Sequence, residues 1–235
     1  MPGKETVLLC QPEPLKGCSA CCGLFNFRDI SREHLECYLK GGWKRTAGYK
    51  EADHIATLER SSGVRDTESH ICPFQGFISD GRPGCLIHPG VSVTDTRDRS
   101  LFGKKICDSF LCPAHTILTS EEKEILIRHT DDWYSYTVAI VDPESFQWIL
   151  GLIRKEGAGP DEAELFTRVL TQCLLLHASY MNACAAPLFF YSVGEYNLGK
   201  RRFSVPSSGE TGDEERQRLY LAVRGMLSMG IKNEN

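Results

Sequence analysis

The chain has 235 residues and a mass of 26.3 kDa, with 41% hydrophobic and 25% charged residues, a composition that excludes a disordered or collagen-like polypeptide and allows one domain or two small ones. A formal net charge of -4 and a pI near 6.0 give no general attraction to phosphate backbones or anionic surfaces, and without a local basic patch no nucleic-acid partner is expected. The outlying feature is eleven cysteines, nine of which precede residue 113.

In chain order, Val7 to Cys10 is the first apolar run, too short for the core of a signal peptide, and no later stretch approaches the ~18 apolar residues of a membrane span. The expectation is a cytoplasmic chain with no membrane partner. In that reducing setting clustered thiols bind metal or do redox chemistry more often than they form disulfides. Up to residue 118 the short apolar runs are interrupted by Gly and Pro, as in Gly41-Gly42, Asp80-Gly81-Arg82-Pro83-Gly84 and His88-Pro89-Gly90. Short strands are expected around Val7 to Leu9, Leu24 to Phe27 and Phe74 to Ile78. One helix is legible from Arg32 to about Lys40, capped by Ser31, with Leu35, Tyr38 and Leu39 inward and Gly41-Gly42 as its stop. A region of this kind takes its order from crosslinks or metal rather than from a large core.

Beyond residue 118 the pattern turns helical. Thr119 with Glu122 is a capping box ahead of Ile125, Leu126 and Ile127. Asp142 before Pro143 starts a helix that buries Phe146, Trp148, Ile149, Leu152 and Ile153. Asp161 with Glu164 repeats the box, and the helix that follows puts Leu165, Phe166, Val169, Leu170, Cys173, Leu174 and His177 on one face. Pro187 to Val193 reads as extended and Gly194 to Gly212 as a loop. Thr211 with Glu214 opens a last helix, with Leu219, Tyr220, Val223, Met226 and Leu227 inward. The expected fold is α+β, mainly α: a Cys-rich, metal-organised region 1–118 with short strands and helices, packed against a helical bundle 119–235, as two regions or one integrated domain.

The chemistry lies in the cysteines. Cys18 and Cys21 have the two-residue spacing that lets one turn aim both sulfurs at a metal, and Cys22 follows at once. Cys72, Cys85, Cys107 and Cys112 each sit beside Gly or Pro or within a Cys-x4-Cys pair, where tight turns free backbone amides to hydrogen-bond sulfur. Four thiolates suffice for zinc or for an iron-sulfur cubane, and seven leave room for a second metal. The adjacent pair Cys21-Cys22 does not easily direct both sulfurs at one ion, so one is expected to serve a second metal, a supporting contact or packing. Cys10, Cys37, Cys173 and Cys184 read as packing residues. His70 and His88 are the histidines nearest the ligands in sequence, whereas His34, His54, His115, His129 and His177 read as structural or solvated.

At these residues the sequence resembles the YkgJ-type cysteine-cluster family of zinc- or iron-chelating proteins, with its C-x2-C-x2-C-C signature. Cys18, Cys21 and Cys22 match the last three signature cysteines, Cys72-Pro73-Phe74 its central element, Gly84-Cys85-Leu86-Ile87-His88 its Cys-x-Ile-Tyr element, and Cys107 with Cys112 its closing pair. Leu15 stands where the first signature cysteine would be, which removes one donor, and the gap from Cys85 to Cys107 is longer than usual. The resemblance implies that Cys18, Cys21, Cys22, Cys72, Cys85, Cys107 and Cys112 hold an iron-sulfur cluster, [4Fe–4S] by preference, or zinc. A more distant resemblance to flagellin lysine-N-methylases implies an alternative, cluster-dependent group transfer with S-adenosylmethionine. No Gly-x-Gly-x-Gly loop follows a predicted strand to cradle that cofactor. A second alternative is a structural zinc module that binds a protein partner.

Overall fold

The computed structural model describes residues 7–12, 16–49, 71–79, 81–100, 103–183 and 210–230. It is mainly helical with one small sheet, the α+β, mainly α class expected from the sequence. Two 3-10 turns, Ala20–Cys22 and Leu24–Asn26, meet at Gly23, whose φ of 81° is a left-handed conformation that favours glycine. Leu24 to Phe27 is therefore not a strand, and neither is Val7 to Leu9. Each run is too short to separate strand from turn, and neither meets a partner strand.

Helix α1 (Arg32–Lys40) starts where Ser31 accepts a hydrogen bond from the His34 amide, and it buries Leu35 and Leu39. Gly41 ends it as expected, but the chain re-enters a helix at once, α2 (Gly42–Gly48). Close packing explains why glycine stands there: a Cβ on Gly42 would lie 2.6 Å from the Gln75 carbonyl oxygen and 2.7 Å from the Gly76 Cα. Strands β1 (Gln75–Ser79) and β2 (Arg82–Cys85) form an antiparallel hairpin, with Gln75 opposite Cys85, Gly76 opposite Gly84, Phe77 opposite Pro83, and a bulge between Phe77 and Ser79. The glycine-rich stretch that reads as a turn thus supplies a turn, with Gly81 at φ 68°, and also a strand. Pro83 is tolerated because β2 is an edge strand of the sheet that the described residues form. The outer edge of β1 is covered by α2, where Trp43 Nε1 donates to Phe77 O at 3.1 Å and Arg45 donates to Gln75 O at 2.9 Å.

The helices α3 (Gly103–Ser109) and α4 (Ala114–Ile117) lead to α5 (Ser120–Arg128), where the Thr119–Glu122 capping box forms with both of its hydrogen bonds. Helices α6 (Trp133–Val141) and α7 (Pro143–Lys155) are separated only by Asp142, which caps α7 through the Ser145 amide. Helix α8 (Ala163–Ala183) begins two residues past Asp161, and the described residues form no Asp161–Glu164 capping box. Its buried face, Phe166, Val169, Leu170, Cys173, Leu174 and His177, is the one expected, while Leu165 is half-buried. Helix α9 (Glu210–Gly230) buries Leu219, Val223 and Leu227, and Tyr220 and Met226 are half-buried. Its span places Thr211 inside the helix, where the side chain is outside the described set. Pro187 to Val193, Gly194 to Gly209, Cys184, His54 and His70 also lie outside the described residues.

One hydrophobic core runs from Leu9, Leu24 and Phe25 through α6, α7 and α8 to Val223 and Leu227, so the Cys-rich part and the helices share it. Buried hydroxyls fasten the two: Tyr136 donates to Leu9 O at 2.7 Å and Tyr134 to Ile30 O at 2.8 Å. Lys16 Nζ reaches across to the Ile127 carbonyl. Among the described residues a second, much smaller cluster buries Cys72, Phe74 and Ile87, with Cys22, Tyr49 and Cys85 packed against it. No helix among the described residues is long and apolar enough to cross a membrane.

The close approach at Gly42 gives a first prediction. Gly42→Ala is expected to destabilise the protein by about 1–3 kcal/mol through overpacking against β1. Gly151→Ala, on the exposed side of α7 with open space around a Cβ, is expected to stabilise by roughly 0.5–1 kcal/mol. Urea unfolding of the two variants measures both, and the opposite signs distinguish contact from propensity.

Candidate metal centre

The segment carrying Cys18, Cys21 and Cys22 is held by backbone contacts. The Cys18 amide donates to Cys10 O at 3.0 Å, folding the segment that carries Cys10 back onto Cys18. Gly17 passes so close to β2 that a Cβ there would lie 2.3 Å from Pro83 O. Gln11 ties the same region down, donating to Pro83 O at 2.9 Å and accepting from Arg82 Nε at 2.6 Å. The Ala20 amide donates to the Cys18 sulfur at 3.3 Å, the kind of amide–sulfur bond that tight turns provide.

Cys72 is joined to this turn although it stands far along the sequence: its amide donates to Cys22 O at 2.9 Å. Gln75 Nε2 bridges Cys22 O and Cys72 O at 3.2 and 3.0 Å, and Tyr38 OH donates to Cys72 O at 3.3 Å. Cys85 ends β2, and Cys107 lies on α3, where the Ser100 hydroxyl is 3.3 Å from its sulfur. Cys112 precedes Pro113 and the start of α4, so the amides of Ala114 and His115 point at it.

All seven candidate cysteines therefore come to one region, and their thiols interact in pairs. Cys21 is the common neighbour: it feels or is felt by Cys10, Cys18, Cys22, Cys85, Cys107 and Cys112. Burial first, and then neighbouring sulfurs, pushes Cys85 up to about 11 and Cys112 up to about 12. Burial also raises Cys18 and Cys107. Cys21 and Cys22 share a hydrogen bond that lowers the first thiol and raises the second. Arg97, a buried guanidinium paired with Asp95 at 2.8 Å and Asp108 at 2.6 Å, is the nearby positive charge and favours the thiolates of Cys85 and Cys107. Among the described residues no three His, Cys, Asp or Glu side chains form a group able to hold a metal ion as they stand. The donor chemistry nonetheless suits a soft cation: thiols, carried on separate segments and drawn out of water, with amides and one guanidinium beside them.

Two residues read as bystanders lie in this region. Cys10 is an exposed residue, but its sulfur is turned inward, 3.8 Å from His115 Nε2, and burial around the sulfur pushes the thiol up to about 12. His115 is buried, kept neutral by burial and by the Lys123 charge, and its Nδ1 has no hydrogen-bond partner. The one sequence signal for it is the Cys112-Pro113-Ala114-His115 spacing, itself that of a metal-ligand pair. His88 is exposed and its Nδ1 accepts from the Gly90 amide at 3.1 Å. Cys37 does not pack in the core but is exposed on α1, whereas Cys173 is fully buried as expected.

No protein-family model, curated protein or solved structure matches the chain.

Proposed function

We propose that this is a metal-binding protein that holds its metal through thiolates of Cys18, Cys21, Cys22, Cys72, Cys85, Cys107 and Cys112. The observation that carries the reading is the convergence of these cysteines, from distant stretches of sequence, on the neighbourhood of Cys21. The cavity bounded by Cys10, Cys18, Cys21, Cys112 and His115 measures about 20 Å³, room for one ion, which supports zinc over a four-iron cubane at that end of the thiol cluster. A zinc ion with four protein ligands leaves no open position, so the chemistry it supplies is order: it crosslinks segments whose own apolar core is small.

Anaerobic purification followed by elemental analysis and a visible spectrum tests this. Colourless protein with stoichiometric zinc is the expected result. A brown protein containing iron and acid-labile sulfide would replace zinc by a cluster on the same thiols, and metal-free protein would overturn the reading. Cys72→Ser or Cys107→Ser is expected to lower metal content, whereas Cys173→Ser, on a core face of α8, leaves it unchanged.

A further inference from the structure

The thiols are not one pool. Two sets can be separated by the apolar clusters against which they pack. Cys112 belongs to the main core, and Cys18 and Cys21 pack on it. Cys72 belongs to the small second cluster, and Cys22 and Cys85 pack on that one. The geometry divides at the same line: Cys10, Cys18, Cys21, Cys112 and His115 bound one cavity, while the Cys72 amide donates to Cys22 O at 2.9 Å and Cys22 and Cys85 pack beside Cys72. Cys21 is the contact common to both sets.

Building on the metal-binding reading above, we propose that the chain holds two soft divalent ions of the zinc class, one bounded by Cys10, Cys18, Cys112 and His115 and the other by Cys22, Cys72, Cys85 and Cys107, with Cys21 between them. Each set then supplies four donors, the number a closed tetrahedral zinc site requires. Cys10 and His115 are the new members. Cys10 is brought back beside Cys18 by the Cys18 amide, which donates to Cys10 O at 3.0 Å. His115 is buried, with one ring nitrogen facing the Cys10 sulfur at 3.8 Å and the other without a partner. A buried imidazole nitrogen left unbonded carries a desolvation cost that a ligating role for the ring helps to explain.

Charge separates the two sets in the same way. Leu9, Ala20, Phe110 and Ile140 wall the first position, and no guanidinium stands among its lining residues. A neutral imidazole in place of a fourth thiolate keeps one negative charge out of that apolar setting. The second position has Arg97 nearby, with Asp95 and Asp108 paired to it at 2.8 and 2.6 Å, so that charged groups of both signs stand beside it.

Titration of the full chain with zinc against a chromophoric chelator, with elemental analysis of the isolated protein, measures the count and each affinity. Wild type is expected to hold two ions. Cys10→Ser and His115→Ala are each expected to weaken one ion by roughly tenfold or more, since losing even a group that merely orients a ligand costs that much, and to leave the other unchanged. Cys85→Ser is expected to weaken the other ion. Cobalt substitution gives a readout independent of affinity: the sulfur-to-cobalt absorption should fall in Cys10→Ser and persist in His115→Ala, where a nitrogen donor is removed. Circular dichroism confirms that each variant folds. One ion per chain, or two ions held unchanged by both Cys10→Ser and His115→Ala, would overturn the two-site division while the metal-binding reading stands. A wild-type chain that binds no ion would overturn both.

Discussion

His177→Ala is expected to cost about 3–5 kcal/mol of unfolding free energy, the scale for removing one partner of a buried ionic group. His177 on α8 is 1% exposed and lies between two carboxylates, Glu215 of α9 at 2.5 Å from Nδ1 and Asp142 at 3.3 Å from Nε2, themselves 6% and 0% exposed. An imidazolium carries a proton on each ring nitrogen and can donate to both neighbours at once. Burial alone would pull its pKa down, and the hydrogen bonds and charges of Asp142 and Glu215 outweigh that and raise it to about 9. The folded value lies above the ordinary 6.5, so the stabilisation is fully present below pH 6.5 and is lost as pH rises through about 9. The size implied is about 3 kcal/mol. Glu144 and Arg216 line the adjoining cavity and Tyr180 stacks on the ring, which makes these the neighbouring groups whose titration has to be separated. Urea unfolding from pH 6 to 10 checks the prediction. Wild type should lose stability over the upper half of that range, and His177→Ala and Glu215→Gln should lose most of the slope. A slope unchanged in both variants would rule the clamp out.

That clamp shows how far sequence reasoning reaches. Asp142 is legible as a helix cap from its place before Pro143, and it is one: Ser145 donates to it through both amide and hydroxyl. Its second role, receiving His177 from another helix, depends on packing that no local pattern encodes. The helices with one apolar face, α1, α7 and α8, are legible because their periodicity reports which side is buried. Helix α6 is not, since all of Trp133–Val141 is buried and the apolar signal has no period. Helix α3 fails for the opposite reason, with no buried residue to mark a face. For the metal centre the same limit holds: local spacing picks out seven cysteines, but Cys10 and His115 meet across 105 residues of sequence. The adjacent pair Cys21-Cys22 is informative because its two thiols hydrogen-bond each other yet pack on different apolar clusters.

Removing the metal from protein shown to carry it is expected to lower the melting temperature by about 10 °C. Ligand binding at about a thousand times its dissociation constant stabilises by about 4 kcal/mol, and a chain of this size shifts by about 2–4 °C per kcal/mol. The loss should fall unevenly, because the two thiol sets rest on unequal amounts of core. Leu24 and Phe25 anchor the turn carrying Cys21 and Cys22 in the main core and are completely buried. Among the described residues the hairpin and the chain that follows it bury just Cys72, Phe74 and Ile87 in a cluster of their own, with Phe77 reaching the main core, and an isolated two-stranded hairpin is marginal in water. Amide hydrogen exchange after chelator treatment should therefore rise most in residues 71–79 and 81–100, much less in residues 20–26, and least in the buried face of α8. Readdition of zinc should restore protection in the same order. Uniform deprotection of the whole chain would mean that metal and main core form one cooperative unit. An unchanged melting temperature would mean that the bound ion does not order the fold. The uneven pattern is the one required if metal stands in for core where core is scarce.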